Sequence, residues 1–233
     1  LVKNLYGVDG ITHLKSATKK STDLKMTAQL LAIHPENPQH RLIKQVVSVL
    51  RDGGVIVYPT DSAYALGCHI GDKKAMERLR RIRDLGSKHD FTLVCRDLSE
   101  IAVYAKVNNT HYRLMKALTP GPYTFILKAT REVPRRLQNP KRRTIGLRVP
   151  DNNIASQILD ELGEPVMSST LILPDHDRPM IDPEEMVDVL KHQVELVIDG
   201  GFCGIEPTTV LDLVEDEPVV VRQGKGDVSR FME

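Results

Sequence analysis

Gly54-Val-Ile-Val-Tyr-Pro-Thr-Asp-Ser-Ala-Tyr-Ala-Leu-Gly67 is the stretch on which the reading of the chain turns. Val55 to Tyr58 is a short apolar run, preceded by Gly53-Gly54 and stopped by Pro59. A proline has no amide to give to a β-ladder, so a strand ends there or lies at an edge. Thr60, Asp61 and Ser62 follow at once, and Tyr64 to Cys68 returns as a second apolar run. Polar groups just past a strand end are where open α/β sheets bind ligands. A polar hairpin turn without a ligand has the same local pattern.

Working outward, helical and strand patterns alternate. Leu42, Ile43, Val46, Val49 and Leu50 recur at helical spacing. This predicts a helix capped by Asn37, with Pro38 in its first turn and Gly53-Gly54 at its end. A second helix is expected from Lys73 to Leu85, apolar at Met76, Leu79 and Ile82 and basic on its other face. Phe91 to Cys95 reads as a strand. Asp97 and Glu100 form a capping box for a helix through Ala105, and Thr110 to Leu118 continues as helix. Tyr123 to Leu127 and Ile145 to Arg148 read as strands, flanking a basic segment, 131–143, whose Pro134 and Pro140 favour a loop or bent hairpin. Ile154 to Leu162 is helical, Pro165 to Thr170 extended, and Asp182-Pro183-Glu184-Glu185 opens a further helix. Leu196 to Asp199, Thr209 to Leu213 and Val219 to Arg222 close the pattern as strands. Such interleaving predicts one α/β domain of three-layer type, a central sheet with helices against it.

The chain has 233 residues, 41% hydrophobic and 27% charged, with a formal net charge of +1. No global charge draws it to nucleic acid or membrane, so either claim needs a local patch. Three cysteines, Cys68, Cys95 and Cys203, make neither a CxxC pair nor a disulfide framework, which points to a reducing cytoplasm. No apolar run approaches the length of a membrane span. Residues 1–25 start without Met and carry Lys15, Lys19, Lys20 and Lys25 without periodicity. They read as a non-native or disordered extension, or else as a basic arm touching RNA, with 26–233 as the single domain.

The scattered histidines lack HExxH spacing, so no metal site is expected; there is also no GxSxG, GxGxxG or P-loop context. What the strand ends offer instead is hydroxyls and guanidinium groups: Thr60, Ser62, Thr124, Arg148, Ser168 to Thr170, Thr208, Thr209 and Arg222. These suit phosphate and carboxylate, and together they predict an anion-binding cleft. The basic run, with Arg135, Arg136, Lys141, Arg142 and Arg143, and the Arg-rich second helix form a second constellation. It suits a phosphate backbone, or is a solvated basic face; no aromatics interleave it to stack on bases.

Several blocks in order then resemble one family. Gly-Gly-Val-Ile-Val-Tyr-Pro-Thr-Asp-Ser-x-Tyr-x-Leu-Gly from Gly53, Pro120-Gly-Pro-x-Thr124, Arg148-Val-Pro-Asp151, Asp199-Gly-Gly201, Pro207-Thr-Thr-Val-Leu-Asp212 and Val221-Arg-Gln-Gly224 are similar to the YrdC domain. The Ile-His-Pro-x-Asn-Pro entry at Ile33 to Pro38 is most similar to the YciO branch. The resemblance implies a twisted mixed sheet with a basic concave face. It also implies synthesis of threonylcarbamoyl adenylate from threonine, bicarbonate and ATP for tRNA modification, usually with magnesium, and binding of double-stranded RNA or tRNA. No tightly bound cofactor is expected, and no membrane. By carry-over, Thr60 contacts the amino acid, while Thr124, Thr170 and Arg222 lie near the nucleotide. The synthases carry a Lys-x-Arg and a Ser-x-Asn pair; Arg83 and Leu85 align with the first, Thr170 and Ile172 with the second. Arg83 and Thr170 keep a charge and a hydroxyl as catalytic candidates, Leu85 and Ile172 lose a cation and an amide, and Lys88 is the partial substitute. The expectation is a weak or altered synthase with a degenerate tetrad; the alternative is an RNA-binding protein with a vestigial cleft. Carbamoyl chemistry of the hydrogenase-maturation type is remoter, because the accessory zinc-finger and acylphosphatase regions are absent.

Overall fold

Val55–Tyr58 forms strand β2 and Ala65–His69 forms β3, an antiparallel pair with Ile56 opposite Gly67. Both strands are almost wholly buried, as the continuous apolar runs require. In the computed structural model, residues 27–86 and 91–231 are described. The remaining strands are β1 (Gln29–Ala32), β4 (Thr92–Val94), β5 (Tyr123–Lys128), β6 (Thr144–Arg148), β7 (Val166–Thr170), β8 (Leu196–Asp199), β9 (Thr209–Asp212) and β10 (Val219–Arg222). All ten join one mixed sheet in the order β1-β8-β2-β3-β7-β4-β6-β5-β9-β10. The pairs β1·β8, β2·β8, β4·β6 and β5·β9 are parallel and the rest antiparallel.

The helices are α1 (His40–Arg51), α2 (Lys73–Ile82), α3 (Leu98–Tyr104), α4 (Asn109–Leu118), α5 (Asn153–Leu162) and α6 (Pro183–Leu190). α1 and α5 pack on each other and, with Ile56, Tyr58, Ala65, Val94 and Val166, build one core. Residues of α2, α3, α4 and α6 join a larger core that includes Val55, Val57, Leu93, Phe125, Leu147 and Met167. Alternate residues along a strand face opposite sides. Leu93 and Val94 therefore serve different layers, as do Met167 and Val166. α1 and α5 cover this face from the β1 edge as far as Val166 of β7 and Val94 of β4. Elsewhere on β7 and β4, and on β6, β5 and β9, the face carries Ser168, Thr92, Gly146, Thr124 and Val210 and lies open.

Several ends are fixed as the sequence dictates. At the end of α1 the amide of Gly53 donates to Leu50 and that of Gly54 to Val49, and Gly53 adopts φ +80°. This pair of bonds stops a helix and favours glycine at the left-handed residue. Asp97 accepts from the Glu100 amide, and Asp182 caps α6 through the amides of Glu184 and Glu185, with Pro183 in the first turn.

Four expectations change. α1 starts at His40 after Gln39, and Asn37 does not cap it; the amides of Glu36 and Asn37 instead donate to Nδ1 of His34, which closes the preceding turn. α2 stops at Ile82 rather than Leu85, because Asp84 turns left-handed at φ +48°. β1 has no counterpart in the sequence reading. The Arg-rich face of α2 is only partly a solvated surface: Arg78 grips both carboxylate oxygens of Glu195 at 2.7 and 2.8 Å, and Arg80 stacks over the Phe91 ring at 5.4 Å. The expectations for residues 1–25 and for Lys88 lie outside the described residues.

Candidate functional site

The open half of the sheet is the floor of a cleft with a cavity volume of about 160 Å³. Its floor is read directly from the register. Ser168 lies opposite Thr92, Thr92 opposite Gly146, and Gly146 opposite Ile126. One row along, Val94 pairs with Arg148, Thr124 with Val210, and Val210 with Arg222. Gly146 is required by close approach: a Cβ there would stand 2.9 Å from Thr92 Oγ1 and 3.3 Å from Thr124 Cγ2. A side chain at that point would crowd the floor.

Among the described residues three guanidinium groups line the cleft, those of Arg83, Arg148 and Arg222, and no carboxylate does. Arg83 caps the C-terminus of α2 and its Nε reaches Ser169 Oγ at 3.4 Å. Arg222 ends β10 and donates from Nε and Nη2 to the Thr208 carbonyl at 3.3 and 2.9 Å. Burial lowers the pKa of both groups from the ordinary guanidinium value. An anion beside them would offset that desolvation. Thr124 and Thr208 share a hydroxyl–hydroxyl bond of 2.8 Å beside Arg222.

Arg148 is the most enclosed of the three, only 6% exposed. Its Nη2 donates to three side chains of the turn after β2: Asp61 Oδ1, Ser62 Oγ at 3.0 Å and Thr60 Oγ1 at 3.3 Å. Thr60 itself is engaged locally. Its hydroxyl donates to the Ala63 carbonyl at 2.6 Å and accepts from the amides of Ser62 and Ala63. The structure therefore places Thr60 and Ser62 as holders of Arg148, while Ala63 and Ala65 form the wall facing the cleft. Lys225 Nζ reaches the Asp61 carbonyl and closes the turn from the C-terminal side.

The neighbouring motif residues prove to be packing partners. The Tyr58 ring crosses Gly67, where an added Cβ would lie 2.8 Å from Cε1, and its hydroxyl donates to Ser168 Oγ at 2.8 Å. Burial raises the Tyr58 pKa to about 12. The Tyr64 hydroxyl donates to the Gly201 carbonyl at 2.8 Å and ties the loop after β8 to β3. Thr209, fully buried, donates to Gly226 and accepts from the Gly224 amide, so it fixes the turn after β10 and does not line the cleft.

The cleft brings together Arg83, Thr124, Arg148, Ser168, Thr170, Thr208 and Arg222 from the sequence-derived set. Ile172 lines it too, as an apolar contact. Leu85 does not; it packs against the larger core. Thr92 lines the cleft without having been singled out in the sequence, and Asp61, seen there only as a polar turn residue, is the ion-pair partner of Arg148. Arg135, Arg136, Lys141, Arg142 and Arg143 are all exposed on one loop. Two are tethered: Arg136 to the carbonyls of Ile70 and Gly71, and Arg142 to Asp212 at 2.7 Å. Asp212 pairs with the floor residue Ile126, so this loop borders the cleft. Among the described residues no group of three or more His, Cys, Asp or Glu is placed to hold a metal ion. Among them also, no helix is long and apolar enough to cross a membrane.

Comparisons with known proteins bear on this arrangement. A family model for Sua5, YciO and YrdC, described as "Telomere recombination", matches residues 48–224. The Escherichia coli (strain K12) protein YciO is 60% identical over 205 residues, 88% of this chain and 100% of that protein. A threonylcarbamoyl-AMP synthase of Chromobacterium violaceum is 34% identical over 137 residues, 58% of this chain and 70% of the synthase. The crystal structure of E. coli YciO superposes with a TM-score of 0.85 over 88% of this chain and all of that one. P. abyssi Sua5 complexed with L-threonine, 23% identical, shares the fold at a TM-score of 0.78, over 84% of this chain and 58% of that one.

Proposed function

The chain belongs to the Sua5/YciO/YrdC family, and from that premise we propose that its cleft binds ATP and forms an acyl-adenylate of the threonylcarbamoyl-AMP type at a low rate. One observation carries the reading: Arg83, Arg148 and Arg222 converge with six hydroxyl side chains on one cleft, and no carboxylate lines it among the described residues. Such a lining favours a phosphate chain over a cation or an apolar ligand. The enclosed volume of about 160 Å³ is below the roughly 300–1,000 Å³ of drug-sized pockets. It suits a phosphate or an amino-acid-sized group, with the remainder of a nucleotide extending across the open mouth.

In the reaction the threonine nitrogen takes up bicarbonate with loss of water. The resulting carbamate oxygen then attacks the α-phosphorus, and pyrophosphate leaves. The chain's own part is positioning and neutralisation of the phosphate oxygens by guanidinium groups. Among the described residues the lining supplies no carboxylate for a magnesium ion, and no step is assigned to one. The low rate follows from Ile172, which presents methyl groups where an amide would donate to developing charge. Losing one such donor lowers a rate by about 10²–10³-fold.

The test is incubation of the purified protein with ATP, threonine and bicarbonate, following pyrophosphate and adenylate. Threonine-dependent product is expected at high protein concentration; its absence there sinks the synthase reading. A second element concerns the loop. Arg135, Lys141 and Arg143 are exposed beside the cleft rim, which supports contact with the backbone of double-stranded RNA or tRNA. Reversing these three to Glu should weaken duplex RNA binding and flatten its salt dependence. Equal binding by the triple variant overturns that element.

A further inference from the structure

Asp61 and Arg148 are 87 residues apart in sequence, and both side chains are more than nine-tenths buried, at 9% and 7% exposure. The contact between them uses one oxygen and one nitrogen only. Asp61 Oδ2 and Arg148 Nε are both buried and, among the described residues, have no hydrogen-bond partner. Thr60 Oγ1 and Ser62 Oγ add to the same Nη2 and leave the Nε edge alone. Arg148 nevertheless lines the cleft, and Asp61 does not. The carboxylate thus lies outside the cleft lining, against a guanidinium that is part of it.

We infer that Asp61 is a positioning residue that holds Arg148 by one nitrogen and, as its buried counter-charge, restrains the affinity of the cleft for anions. The inference rests on the reading of the cleft as an anion site. Two effects are combined in this one carboxylate, and they are separable. The accepting oxygen fixes where the guanidinium lies. The negative charge sits within ion-pair distance of it and opposes an incoming phosphate through the same low-dielectric wall that strengthens Arg148's own pull. An asparagine keeps an oxygen of similar reach and removes the charge. An alanine removes both.

This separation gives predictions of opposite sign. Binding of ATP and of inorganic pyrophosphate is measured by calorimetry at several salt concentrations on the full chain, with thermal unfolding recorded alongside. D61N is expected to bind both ligands about tenfold more tightly than the parent at low salt, with a steeper salt dependence, while melting at a lower temperature. D61A, whose Arg148 is unmoored, is expected to bind more weakly than the parent. A purely structural Asp61 would lower stability in both variants and would not reverse the sign of the affinity change. If D61N does not fold, D61Q, also neutral and with a carbonyl oxygen as acceptor, is judged by the same signs. Weaker or unchanged binding by the neutral acceptor variant overturns the inference. Absence of binding by the parent protein overturns instead the anion-cleft reading beneath it.

Discussion

Replacing Gly67 by Ala should destabilise the protein and disturb the cleft at once. A Cβ at this position would lie 2.8 Å from Tyr58 Cε1 and 2.8 Å from Val166 Cγ1. Neither neighbour has an easy escape. The strand register pins Gly67 between Ile56 and Ser168, and the Tyr58 ring is held at its far end by the 2.8 Å bond to Ser168. Overpacking of this kind costs about 1–3 kcal/mol. If the ring swings aside, the buried hydrogen bond goes with it, about 1 kcal/mol more. Alanine restricts the unfolded chain and offsets about 0.4–1 kcal/mol of this. The net expectation is a loss of about 1–3 kcal/mol, or roughly 3–10 °C in melting temperature for a chain of this size. Urea unfolding measures the first quantity and calorimetry the second. Y58L/G67A, in which the ring is gone, should recover part of the loss beyond the sum of the single effects. A G67A protein within about 0.5 kcal/mol of the parent would refute the ring-over-glycine packing.

Other consequences are open to measurement. Glu195 accepts from the Val55 amide at 2.6 Å as well as from Arg78, so E195A should cost about 2–4 kcal/mol in urea unfolding; a change below 1 would remove the pair from the account. Stability should fall as pH rises above about 9. Burial raises the Cys68 thiol from 9.0 and the Tyr58 hydroxyl from 10.0, each to about 12, so the unfolded chain releases these protons first. The contribution is fully present below the unfolded values and is lost by about pH 12. Y58F should flatten the part of this fall above pH 10, and an unchanged profile would contradict it. R222Q should weaken ATP binding about tenfold or more with little change in stability, whereas equal affinity would take Arg222 out of the site. G146V, which puts branched methyls on the cleft floor against Thr92 and Thr124, should abolish nucleotide binding in a protein that still unfolds cooperatively.

The strands were legible where punctuation and composition agree. Gly53-Gly54 and Pro59 bracket β2 at its true limits, and Asp182-Pro183 opens α6 where a cap and a first-turn proline should. β1 was not legible, because Gln29–Ala32 is a four-residue edge strand in which only Leu31 is buried, too short to show a period. The start of α1 misled for a different reason: His34, not Asn37, supplies the acceptor that organises the turn. The arginines and hydroxyls of the cleft were legible as types at strand ends. Which of them face it depended on register, and so Thr208 lines the floor while Thr209 braces a turn. Asp61 was visible as a polar turn residue, but its role exists only through Arg148, and no local pattern encodes that. Leu85 and Ile172 looked like equal departures from the synthases, yet one belongs to the core and the other to the cleft.

The half-covered sheet has a further consequence for how this molecule changes over generations. On β4, β5, β6 and β7 each core residue is followed by a floor residue: Leu93 then Val94, Phe125 then Ile126, Leu147 then Arg148, Met167 then Ser168. Two messages are thus written on alternate letters of the same strands, one for folding and one for ligand choice. What the cleft accepts can thus change with the larger core left in place, at least cost on the half-buried Ile126 and at more on Ser168 and Arg148, which hold buried partners.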